Sequence, residues 1–161
     1  MRYSLRTLLI ALAIVPPALA VALGEEPQSD ATKKELDKVQ GEWLLVFWRF
    51  DGKDLDAAKE LGAIGDKTTM MITGHRYIIA VGDTVYEEGT AEIDPTTSPA
   101  KFDTTATIIA GQPKKDMRSG ICILKDDLLI VCVNYSEKRP TTFSAEAGSK
   151  SEIVIYRRMK K

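Results

Sequence analysis

At 161 residues, with 44% hydrophobic and 28% charged residues, the chain has the length and composition of one folded domain and not of a disordered segment. Its formal charge is −1, and removing Arg2 and Arg6 with an N-terminal leader leaves 20 basic residues against 23 acidic ones, a charge of −3. That balance excludes the clustered basic stripe that nucleic acid requires, and Arg157-Arg158-Met159-Lys160-Lys161 reads as a solvated tail.

Residues 1–20 read as a secretory signal peptide. Arg2 and Arg6 form the positive start, Leu8-Leu9-Ile10-Ala11-Leu12-Ala13-Ile14-Val15 the apolar stretch, and Ala18-Leu19-Ala20 the small residues that a peptidase accepts. Cleavage is expected after Ala20, with Ala22 as second choice. The competing reading is a retained anchor over residues 7–23. That run falls short of the roughly 20 residues that span a bilayer. Pro16-Pro17 would also break a spanning helix near its middle. The expectation is export to the periplasm or the extracellular space, the alternative an uncleaved membrane anchor.

Residues 21–31 form a polar linker, and the folded domain is expected over 32–161. A short helix over 32–39, capped by Asp30 or Thr32, turns Leu36 and Val39 inward and ends at Gly41. The pattern then changes period. Residues 43–50 are an aromatic, β-branched run stopped by Asp51-Gly52, and 55–61 read as a second short helix closed by Gly62. Strands are expected over 68–73 and 76–81, joined at Gly74-His75, then over 84–93 after Gly82-Asp83. Further strands are expected over 100–109, 117–124, 128–133, 141–144 and 152–158. Gly111-Gln112-Pro113, Lys125-Asp126-Asp127 and Gly148-Ser149 read as turns between them. Many short strands with turn chemistry between them point to an antiparallel sandwich or barrel. An up-and-down order joins them most simply, and closure removes the exposed edges.

Several short pieces occur in a telling order: Leu36-Asp37-Lys38-Val39-Gln40-Gly41-Glu42-Trp43, Asp51-Gly52-Lys53, and Gly89-Thr90 before Ile93-Asp94-Pro95. Gly120-Ile121, Asp127-Leu128-Leu129 with Cys132, Arg139-Pro140-Thr141 before Phe143, and Arg158 follow. In this the chain resembles a family of exported bacterial lipocalin-like domains of planctomycete type, over nearly all of 36–158. Cys122 and Thr142 depart from that pattern, where the family often has an aromatic and an acidic residue. The resemblance implies a mainly β, calycin-type up-and-down barrel of about eight strands, with a short N-terminal helix, a second after the first strand, and no established activity.

Physics gives Gly41, Trp43 and Arg158 a structural role beside that resemblance. Gly41 lets the chain turn sharply from helix into strand, and Trp43 enters the barrel floor. In such barrels an Arg of the last strand covers the Trp, a cation–π contact worth about 1–2 kcal/mol when desolvated, and Arg158 is the matching residue.

Residues able to carry catalysis are sparse. His75 is the one histidine and sits in a turn, with no metal-ligand spacing around it. Glu87-Glu88 and Asp126-Asp127 are adjacent, so on a strand their carboxyls point to opposite faces. Asp51-Gly52-Lys53-Asp54 is too short for a calcium loop, and no phosphate loop or nucleophile elbow is present. No enzyme, metal or cofactor is expected. Cys122 and Cys132 flank a turn, and pairing Leu124 with Leu128 would put them on one face as diagonal neighbours about 7–8 Å apart, so free thiols are expected, with a bridge formed on export as the alternative.

Trp43, Leu45 and Phe47 share one face of the first strand with Arg49 at its end, and Tyr77, Ile79 and Val81 share a face of another. Leu45, Phe47, Arg49, Tyr77 and Ile79 are therefore the candidate ligand-binding residues of the interior. Leu44, Val46, Trp48 and Phe50 fall on the opposite face, under the 55–61 helix. A barrel of this size either fills with side chains or holds one small ligand. The expectation is a monomeric, exported, non-enzymatic domain that binds a small apolar molecule. The alternative is a solid barrel that binds another envelope protein through an outer patch containing Trp48 and Phe50.

Overall fold

The computed structural model describes residues 30–60, 67–136 and 138–160. The signal-peptide and cleavage-site expectations, and the end of the second predicted helix at Leu61 and Gly62, lie outside the described residues. The elements are α1 (Asp30–Val39), β1 (Gly41–Phe50), β2 (Lys53–Asp54), α2 (Ala57–Glu60), β3 (Thr68–Thr73), β4 (Arg76–Val81) and β5 (Thr84–Asp94). They continue with β6 (Ala100–Ile109), β7 (Gln112–Lys125), β8 (Leu128–Asn134) and β9 (Ser151–Arg158).

From β3 to β9 each strand pairs antiparallel with the next, and β1 pairs with β3 on one side and β9 on the other. This is a closed up-and-down antiparallel barrel of eight strands, with β2 added as a two-residue clip on the end of β1. Closure leaves the main ladder no free edge, which a chain this rich in β-branched strands requires. Alternation sorts the side chains. In β3 Thr68, Met70 and Ile72 are buried, while Met71 and Thr73 are exposed and Thr69 is half-buried.

One end of the barrel is shut. Gly41 sits at φ +114°, a conformation that releases the chain from α1 directly into β1. Trp43 is 0% exposed, donates its indole N–H to Val39 O at 2.9 Å, and packs with Leu36, Val39, Ile72, Ile93, Phe102, Cys122 and Leu129. The Arg158 guanidinium lies 4.1 Å from the Trp43 ring centroid and donates to Gln40 O at 2.8 Å and Lys38 O at 2.5 Å. Arg158 thus satisfies carbonyls at the end of α1 as well as covering the indole.

Four local expectations change. Residues 141–144 are loop and not strand, because β8 and β9 already pair from Asn134↔Ser151 onward and leave no edge to join. This segment lies against the barrel wall instead: Cys132 Sγ is 3.6 Å from Ser144 O, and Gly52 N donates to Ala145 O at 2.6 Å. The β6–β7 turn is Ala110-Gly111, with φ of 51° and 71°, the mirror-image turn that matches strand twist, so β7 starts at Gln112. In the β7–β8 hairpin Lys125 pairs with Leu128 across Asp126-Asp127, one residue tighter than expected. Cys122 therefore opposes Val131 and Cys132 opposes Ile121, which puts the two buried free thiols on opposite faces of the sheet.

Candidate functional site: the cavity at the open end

The end opposite Trp43 is hollow. A cavity of about 290 Å³ is lined by residues from the far halves of the strands: Trp48 late in β1, Thr68 at the start of β3, Lys114 and Asp116 early in β7, and Glu152 early in β9. Leu45, Met70, Ile79, Phe102, Val131, Val133 and Val154 give it an apolar wall. Tyr77, Tyr86, Tyr135 and Tyr156 line it as well, with Thr68, Thr104 and the charged Glu87, Lys114, Asp116, Arg118 and Glu152, so polar groups share the lining with the apolar ones.

Bulges decide which side chains reach it. Between Leu45 and Phe47, which pair with Tyr156 and Ile155, Val46 is an extra residue in β1. The bulge reverses the alternation, so Trp43 and Leu45 point inward before it and Trp48 points inward after it. Phe47 and Arg49, expected inside, are carried to the outer face. There Arg49 bonds Asp54 at 2.5 Å and its guanidinium lies 5.8 Å from the Phe47 ring. Trp48, expected outside, lines the cavity, and Phe50 packs edge-on to Tyr135. A second bulge in β5 admits Tyr86 to the lining beside Glu87. Of the predicted interior set, Leu45, Tyr77 and Ile79 line the cavity and Phe47 and Arg49 do not.

Its polar groups form one network with a gap. Glu87, 5% exposed, accepts from Arg118 Nη1 at 2.8 Å and Nη2 at 2.9 Å, and from the Tyr77 hydroxyl at 2.7 Å. Arg118 also donates through Nε to Asp116 at 3.0 Å, and its guanidinium lies 5.0 Å from the Tyr135 ring centroid. Burial works against the Arg118 charge, but the bonds and charge of Glu87, with help from Asp116, outweigh it and hold the guanidinium firmly protonated. Burial first, and then the Glu87 charge, pushes the Tyr77 hydroxyl well above its ordinary value.

Glu152 is the exception. It is 8% exposed, and Tyr135 donates its hydroxyl to Oε2 at 2.5 Å. Burial lifts the Glu152 carboxyl above the usual carboxylate range, against the Tyr135 bond and the Arg118 charge. The Trp48 indole also favours the charged form from nearby, yet its Nε1 stands outside hydrogen-bond geometry and is buried without a partner among the described residues. Thr68 Oγ1 is likewise buried without a partner. Both side chains line the cavity, where a molecule inside it can pair with them.

Glu87, Asp116, Arg118, Tyr135 and Glu152 were not among the predicted site residues. The signal for one of them was present: Arg158 and Glu152 are six residues apart on one strand, so placing Arg158 inside also places Glu152 inside. Asp116 and Arg118 carry the same period-two signature into β7. Among the described residues no group of three His, Cys, Asp or Glu is placed to hold a metal ion, and no helix is long and apolar enough to cross a membrane. Compared with protein-family models, curated proteins and solved structures, the chain finds no match, so a functional reading rests on the cavity itself.

Proposed function

We propose that this chain is an exported, non-enzymatic binding domain of lipocalin-like type, whose barrel takes one small, largely apolar molecule. The single observation that carries the reading is the cavity of about 290 Å³ at the end opposite the Trp43 floor, with apolar walls and two unpartnered buried polar atoms. Barrels of about eight strands that serve as carriers keep such a space, and those that serve as scaffolds fill it. The leader-like residues 1–20 support the export part of the reading.

Native mass spectrometry of the mature domain purified from its own host tests the proposal. A reproducible extra mass, released on denaturation and recovered by solvent extraction, is the expected result. A bare polypeptide mass, together with failure to take up any small apolar probe, contradicts it.

A further inference from the structure

Resting on that reading, we infer that the cavity selects a small organic cation, a primary amine with an apolar body, whose ammonium group docks on Glu152. The argument begins with a count of charges. Glu87, Asp116 and Glu152 line the cavity with Arg118 and Lys114, and Lys114 is exposed. Arg118 is already bonded to Glu87 and Asp116. Among the described residues the enclosed part of the wall therefore holds one cation and three carboxyl groups, and the one without an ion-pair partner there is Glu152.

Donors stand around the Glu152 carboxyl even though burial lifts it. Tyr135 donates to Oε2 at 2.5 Å, and the unpartnered indole N–H of Trp48 stands near the same group. A docked ammonium would ionise Glu152, give the Trp48 N–H a stronger acceptor, and leave Thr68 Oγ1, 6% exposed, to accept or donate one bond. Trp48, Tyr135 and Tyr156 also line the cavity, and aromatic faces attract a desolvated cation. An anionic ligand meets the reverse arrangement, three carboxyls and a guanidinium that is already engaged. A neutral ligand brings Glu152 no charge with which its ionised form could pair.

The groups that act on Glu152 are the Tyr135 hydroxyl, Arg118, Trp48 and Glu87, with Tyr156 and Cys132 feeling its charge in turn. Docking moves one proton. Where the raised Glu152 carboxyl holds its proton, docking releases that proton to solvent, and the ammonium enters with its own protons unchanged.

Isothermal titration of the folded domain with tryptamine and octylamine, beside ethylindole, octanol, indolepropionate and octanoate, tests this. Both amines are expected to bind about tenfold or more tightly than their neutral and anionic counterparts. Affinity should fall on acidification through the raised Glu152 carboxyl, and titration in buffers of different ionisation enthalpy should show proton release on binding over that same range. Glu152→Gln should lose the amine preference and keep the neutral probes; the proton-release measurement on the unmodified protein needs no variant to fold. Equal binding of amines and neutral probes, or tighter binding of the carboxylates, overturns the cation inference and leaves the binding cavity intact. Failure of every probe overturns both.

Discussion

Arg118 holds Glu87 through two nitrogens, at 2.8 and 2.9 Å, inside a barrel where their side chains are only 11% and 6% exposed. The pair is the electrostatic centre of the cavity wall: Tyr77 hangs from Glu87, and Tyr135 lies under the guanidinium. A buried pair owes much of its stability to mutual cancellation, so removing one member leaves a bare charge in a medium that solvates it poorly.

Glu87→Ala or Arg118→Ala should therefore each cost about 3–5 kcal/mol in denaturant unfolding. Combining Glu87→Ala with Arg118→Ala should cost markedly less than the sum of the single changes. Additive losses in that double-mutant cycle would mean that the two side chains act independently.

At the opposite end, Trp43 and Arg158 close the floor. Trp43→Ala removes a fully buried aromatic and should cost about 3–5 kcal/mol. Arg158→Ala loses the ring contact and two bonds to carbonyls at the end of α1, and about 1–3 kcal/mol is expected. Arg158→Lys keeps the charge but not the forked geometry, and should recover less than half of that loss. Urea titration with matched slopes checks all three.

Glu152 makes stability depend on pH. Its carboxyl is raised in the folded state by burial, so the fold holds that proton more tightly than the unfolded chain does. The contribution is complete below the unfolded carboxyl value and is lost as pH rises through the folded one. The stability of the unmodified protein minus that of Glu152→Gln should thus fall with rising pH, at up to about 1.4 kcal/mol per pH unit between those two values. A difference that is flat or rises over that interval would show that Glu152 is not burdened by burial.

The thiols should be inert in the fold. Burial pushes Cys122 up to about 12, and burial also raises Cys132 against its contact with Ser144 O. Iodoacetamide at neutral pH is expected to label neither cysteine in the native domain and both after denaturation, without reductant. Denatured protein that takes up label only after reduction would indicate a bridge, which the opposite-face register excludes within one folded chain.

The strand order and the Gly41–Trp43 floor are legible in the sequence because they follow from period-two patterning and from residue types with few alternative uses, whereas the Arg158 cover is legible only as what the lipocalin-like resemblance implies. What escapes is phase. The extra residue Val46 exchanges Phe47 and Arg49 for Trp48, and a turn one residue tighter moves Cys132 to the other face from Cys122. Neither event leaves a local signature in an aromatic, apolar run such as Trp43 to Phe50, where both faces read alike. The Glu87–Arg118 pair is hidden for another reason. Its partners are 31 residues apart, on β5 and β7, and only the pairing of both strands with β6 brings them within reach.

The most direct test of the central claim is saturable uptake of the neutral, apolar probe N-phenylnaphthylamine, followed by its fluorescence in the unmodified domain and in Ile79→Trp, which fills the cavity from its wall. One probe per chain for the unmodified domain, and loss of that binding in Ile79→Trp with the fold retained by circular dichroism, is the predicted result. No saturable binding to the unmodified domain, or unchanged binding to the filled variant, would contradict it.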